Sequence, residues 1–145
     1  MELFNKTINS LSEGDLDLSR ADGKWTVREI IHHIADAEDI WKNIIKAAIG
    51  NPGCHFDMNW YPVDNKWAPA MGYSERGVQN SVELFRVSRK QIIEMLEYKP
   101  EAWNNFVIAK WEYLPEGKKF LVGEIVSFQI LHLKRHLKQI MDSLQ

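Results

Sequence analysis

At 145 residues the chain has room for one domain with a sizeable core, and its 45% hydrophobic and 26% charged residues are ordinary for a globular protein. A net charge of −2 and a pI of about 6.2 give no overall electrostatic footprint for nucleic acid, and no apolar run approaches a membrane span. The single cysteine, Cys54, excludes an intramolecular disulfide and fits a reducing compartment, and the start, MELFNKTINSLSEGDL, is unlike a signal peptide. These features together predict a cytoplasmic, single-domain protein spanning 1–145.

Residues 1 to about 13 form a short helix with Leu3, Phe4, Ile8 and Leu11 on its apolar face. A polar, acidic connection follows from Gly14 to Lys24. The second helix opens on Thr26 as N-cap, with Glu29 three residues on and Trp25 and Ile30 placed as a hydrophobic staple. It runs to Ile49 and stops at Gly50-Asn51-Pro52. Its core stripe is Val27, Ile30, Ile34, Ala37, Trp41, Ile45 and Ala48. His33 falls at the edge of that stripe, and His32, nearly opposite, is expected to face solvent.

Residues 51 to 73 have neither helical nor strand period. A loop this long is usually functional, and its Trp60, Tyr61 and Trp67 argue for an ordered segment folded over one end of a bundle, either lining a pocket or forming a minor core. A third helix runs from about Ser74 to Tyr98 with Val78, Val82, Phe85, Ile92 and Leu96 as its stripe. Arg89 interrupts that stripe, so it must pair, with Asp36 or Glu38 for instance, snorkel, or clamp a ligand carboxylate. Phe106 to Tyr113 fits a short strand or an irregular arm, and Pro115-Glu116-Gly117 reads as a turn. The last helix occupies Leu121 to Gln145, with Val126, Ile130, Leu133, Leu137, Ile140 and Leu144 on one face.

On that last helix His132 and His136 stack one turn apart, on one flank of the apolar face. If the second and fourth helices are neighbours, His33 meets both, and three neutral imidazoles make an open site for a divalent metal. The alternative is that all three are polar edge residues. Asp36 is either a solvated carboxylate or a partner that orients a ligand histidine. His55 and Asp57 in the long loop either complete the metal shell or act in proton transfer, or simply cap turns and face water. Nothing near Cys54 marks it as an activated thiol.

The run Trp25-Thr26-Val27-Arg28-Glu29-Ile30-Ile31-His32-His33-Ile34-Ala35-Asp36-Ala37-Glu38 resembles the second-helix motif of DinB/YfiT-like proteins. His132-Leu133-Lys134-Arg135-His136-Leu137-Lys138-Gln139-Ile140 resembles their C-terminal motif, two histidines four apart followed by a Gln and an aliphatic residue. The resemblance implies an all-α four-helix bundle of up-down-down-up order with long inter-helix loops. It also implies a metal triad of His33, His132 and His136 holding Zn²⁺, Ni²⁺ or a similar ion. The activity it implies is that of an S-transferase using a low-molecular-weight thiol, with a hydrolase next, acting on a small-molecule electrophile, and a homodimer is common in the family. The rival expectation is a non-catalytic bundle that binds metal or ligand without turnover. The two differ at the coordination shell: an enzyme needs an open position, whereas a structural site is closed by a fourth protein ligand, for which His55 is the histidine candidate.

Overall fold

The computed structural model describes residues 1–62 and 66–145. Four principal helices carry the fold: α1 (Glu2–Asn9), α2 (Val27–Gly50), α4 (Gln79–Tyr98) and α5 (Val122–Ser143), with a one-turn helix, α3 (Trp67–Ala70), in the long connection. Three short strands, β1 (His55–Asp57), β2 (Phe106–Trp111) and β3 (Leu114–Leu121), form a small sheet at one end. None of the described helices is long and apolar enough to cross a membrane.

The helix directions follow from which residues meet. Along α2 and α4 the pairs advance together, His32 with Ser81 and then Glu38 with Arg89, so these neighbours are parallel. Along α2 and α5 they run in opposition, His33 with His132 and Trp41 with Phe128. Phe4 packs its ring against Phe85, and further along Ile8 and Leu11 border one cleft with Val78 and Val82, so α1 opposes α4. The order is up-down-down-up. Parallel neighbours need a long crossover, and residues 51–78 supply it.

The start of α2 is fixed as its sequence dictates. The Thr26 side chain accepts from the Glu29 amide and the Glu29 carboxylate accepts from the Thr26 amide, which satisfies two otherwise unpaired donors. Of the predicted stripe, six residues are buried and Trp41 is half-buried.

Two readings of helix faces need correction. His32 does not face solvent: it is 1% exposed. The stripe drawn from α2 alone captures the side turned to α5 and the sheet. Its parallel neighbour α4 covers a second side, where Ile31, His32, Ala35 and Glu38 are buried as well. His32 is satisfied there by Ser81 Oγ at 2.7 Å and the Arg76 carbonyl at 3.2 Å, and its ring stacks on Tyr73. On α5 the buried seam runs through Ile125, Gln129, His136, Leu137 and Ile140, while Ile130 and Leu144 are exposed. The seam is therefore rotated toward the histidines. Polar residues occupy part of it, which hides it from a hydrophobic period.

A polar layer divides the core. One apolar cluster joins Ile30, Ile31, Ile34, Phe85, Leu137 and Ile140, and the other joins Ile44, Ile45, Ile92, Leu96, Val107 and Ile125. Between them Arg89 donates to Glu38 through Nε at 2.6 Å and Nη2 at 2.8 Å. The residue that breaks the α4 stripe is thus paired across the α2–α4 interface, with its guanidinium also over the Phe85 ring.

The sheet resolves the segment 106–121. β1 runs parallel to β2, and β2 antiparallel to β3. The chain reverses at Glu112-Tyr113. Pro115-Glu116-Gly117 lies inside β3, where Gly117 at φ +79° marks an irregularity on an edge strand. A Cβ at Gly117 would stand 2.8 Å from Ile108 Cγ2, so the close strand approach needs glycine.

Candidate metal centre

His33, from α2, and His132 and His136, from successive turns of α5, converge. Their candidate ligand atoms lie within 4.8 Å of one another, and no other described histidine, cysteine or carboxylate joins them. His132 Nε2 stands 3.1 Å from His33 Nε2 and 3.2 Å from His136 Nε2. Donors ~2.0–2.1 Å from a tetrahedral ion stand roughly 3.3 Å apart, so the two edges at His132 match one small divalent cation and the third lies within 4.8 Å.

The tautomer is set from behind. His136 Nδ1 donates to Gln139 Oε1 at 2.8 Å, which leaves the Nε2 lone pair facing the centre. Trp25 packs its ring on His33 at 4.8 Å, and Phe128 stacks on His132 at 5.7 Å. All three imidazoles resist protonation. Burial, reinforced by the other two histidines, lowers His33 to about 3. Burial and then the charges of His136 and Arg135 lower His132 to about 4. His136 is lowered chiefly by burial, partly opposed by its bond to Gln139. Metal ligation requires neutral imidazole, and the fold supplies that form.

His33 and His132 face a cavity of about 400 Å³. Its walls are aromatic: Trp25, Trp41 and Phe128 from the bundle, Trp111 and Tyr113 from the sheet, and Tyr61, Trp67 and Tyr73 from the long connection. No Asp, Glu, Lys or Arg is among its described lining residues. The segment 51–73, expected to fold over one end of the bundle, pairs with the sheet through β1 and then lines the chamber from Met58 onward, with residues 63–65 outside the described part. Trp60 is largely exposed, while Tyr61 and Trp67 line the chamber.

Asp36 takes neither of the roles its position on the helix allowed. Its Oδ2 accepts from Trp67 Nε1 at 2.9 Å and from the Tyr73 hydroxyl in a short contact, and Trp67 Nε1 also reaches the Tyr73 oxygen at 3.0 Å. Burial and then the Asp36 carboxylate push the Tyr73 phenol well up, so it stays a donor. This three-residue tie pins the long connection to α2 beside the chamber.

His55 and Asp57 lie exposed on β1 and do not line the chamber, and Arg89 is bonded to Glu38 in the core layer. Cys54 is half-buried against the cluster of Ile44, Ile45 and Val107, its thiol 3.9 Å from the Ala47 carbonyl. The sequence placed Trp41 in the α2 core stripe and Gln139 in the C-terminal motif without a part in the site, and singled out neither Trp111 nor Phe128. The signal for Gln139 was its position one turn after His136. Trp111 lies in the stretch whose conformation the sequence left open.

The fold and the centre define a four-helix bundle whose inward histidines from two helices form an open three-imidazole site. The DinB superfamily matches residues 2–140, and the chain belongs to it. A protein of Oceanobacillus iheyensis, named as a candidate metal-dependent hydrolase, is 28% identical over 142 residues, covering 95% of this chain and 76% of the relative. YfiT of Bacillus subtilis, described as a probable metal-dependent hydrolase with an unusual four-helix bundle topology, superposes with a TM-score of 0.79 at 16% identity. That match covers 97% of this chain and 77% of YfiT, and it bears on the fold alone.

Proposed function

We propose that the protein is a metal-dependent enzyme in which His33, His132 and His136 hold a divalent ion and the aromatic chamber holds an electrophilic substrate. The observation that carries this reading is the open side of the centre: among the described residues no fourth protein ligand approaches, and two of the three histidines border a cavity of substrate size. A divalent ion held there supplies Lewis acidity and lowers the pKa of a bound nucleophile. His136, fixed by Gln139, and His33, braced by Trp25, keep the donors in place. Trp41, Trp111 and Phe128 exclude water and favour an apolar, planar substrate. The name of the Oceanobacillus relative supports water as the nucleophile, and hence a hydrolase. Three imidazoles accept Zn²⁺, Ni²⁺, Co²⁺ or Fe²⁺ alike, and the family resemblance favours Zn²⁺ or Ni²⁺ among them.

A second reading replaces water with a small thiol. A further cavity of about 430 Å³ shares Trp41, Trp111, Tyr113 and Phe128 with the chamber but borders none of the three histidines, so it has room for the body of a thiol whose sulfur reaches the centre through the chamber. The test is elemental analysis after metal loading and dialysis, followed by turnover of aryl esters, amides and epoxides with and without added thiol. One equivalent of metal in the wild type, lost in His33→Ala, His132→Ala and His136→Ala, with turnover that tracks the metal, is expected. Water-only turnover selects the hydrolase and thiol-dependent turnover the transferase. Absence of stoichiometric metal would sink both.

A further inference from the structure

Trp25 borders two cavities. Beyond the aromatic chamber it lines a cleft of about 290 Å³ between the segment before α2 and the C-terminal half of α5. Arg20, Lys24 and Arg135 line this cleft together with His136 and Gln139, and no acidic side chain does. None of the three cations makes an ion pair or side-chain hydrogen bond among the described residues, although elsewhere Arg28, Arg86 and Arg89 are all paired. The chain as a whole is net negative, so this local excess of positive charge runs against its composition. Three like charges around one concavity disfavour one another until an anion enters.

We propose that this cleft is an anion-binding site for a small carboxylate- or phosphate-bearing molecule, adjacent to the metal centre and outside the aromatic chamber. Two arginines offer planar donor pairs suited to either group, and the lysine adds a mobile charge. The position is informative. His136 and Gln139 belong to both the cleft and the centre, and Trp25 belongs to both the cleft and the chamber. A co-substrate anchored here by its acidic end is held beside the centre, while the chamber, without charged walls among its described residues, receives the apolar partner. The assignment of the ligand as a co-substrate rests on the metalloenzyme reading. The anion site itself does not.

The experiment therefore uses metal-free protein, so that no ion can capture the anion. ¹⁵N-labelled protein is titrated with sodium succinate, with sodium phosphate, and with sodium chloride at matched ionic strength, following the Gly23 amide and the Trp25 indole resonance. Saturable shifts with succinate or phosphate, absent with chloride, are expected, and the tighter of the two identifies the headgroup. Arg20→Gln, Lys24→Gln and Arg135→Gln are exposed changes whose spectra report folding directly. At least two of them raise the apparent Kd by about threefold or more, the effect of one exposed charge contact. Shifts that only follow ionic strength, or saturable binding that fewer than two of the variants weaken, would overturn the site. Metal stoichiometry, measured separately, shows whether the centre fails independently.

Discussion

Replacing Gln139 by Ala leaves every proposed metal ligand in place and removes only the acceptor behind one of them. His136 Nδ1 donates to Gln139 Oε1 at 2.8 Å, and this bond keeps the proton off Nε2, the atom 3.2 Å from His132 Nε2. A neutral hydrogen bond contributes about 1 kcal/mol net. Its loss also frees the ring to rotate and to take the opposite tautomer, and supports of this kind commonly govern 10–100-fold in metal affinity, or ~1.4–2.7 kcal/mol. Gln139 is only partly buried, so water replaces part of the lost bond and the lower end of that range applies. Competition for zinc against a fluorescent chelator at neutral pH should show a Kd raised about tenfold in Gln139→Ala. Gln139→Glu, which keeps an acceptor and adds charge, should bind at least as tightly as wild type. An unchanged Kd in Gln139→Ala would refute the claim that this bond orients the ligand.

Arg89→Met strands a buried carboxylate at Glu38 and should cost about 3–5 kcal/mol in urea unfolding, much of it recovered when Glu38→Leu is added. A loss under 1 kcal/mol would show that the pair is not the junction of the two apolar clusters. Metal-free protein should lose stability on acidification. An unfolded imidazole takes up a proton as the pH falls below 6.5, but folded His132 does so only near about 4 and His33 near about 3, so stability is complete above 6.5 and declines progressively toward those values. A urea midpoint that rises between pH 7 and 5 would contradict this. Tyr73→Phe removes a hydrogen bond to a carboxylate and should cost about 1–3 kcal/mol while leaving metal stoichiometry intact; loss of metal would place Asp36 in the centre instead. His55→Ala and Asp57→Ala should keep one equivalent of metal, and they are better controls than the structural His32.

The sequence alone determined the local chemistry. Thr26 and Glu29 fix the start of α2 within four residues, because a capping box needs only short-range hydrogen bonds. The apolar period placed α4, and the four-residue spacing of His132 and His136 put both on one side of α5 whatever their partner. The two DinB-like segments indicated the bundle, its helix order and the triad. What depended on the partner helix was not legible. His32 looked like a surface residue because a single stripe cannot show that α2 is packed on two sides, one of them by a parallel helix delivered through a long crossover. The α5 seam was misplaced because Gln129 and His136 sit where an apolar residue marks a seam. The sheet depends on pairing 55–57 with 108–110 across the whole of α4, a non-local register that no local pattern encodes. The site followed the same division: the spacing of His132 and His136 is local to α5, whereas their meeting with His33, the aromatic walls and the basic cleft exist only once tertiary packing brings distant segments together.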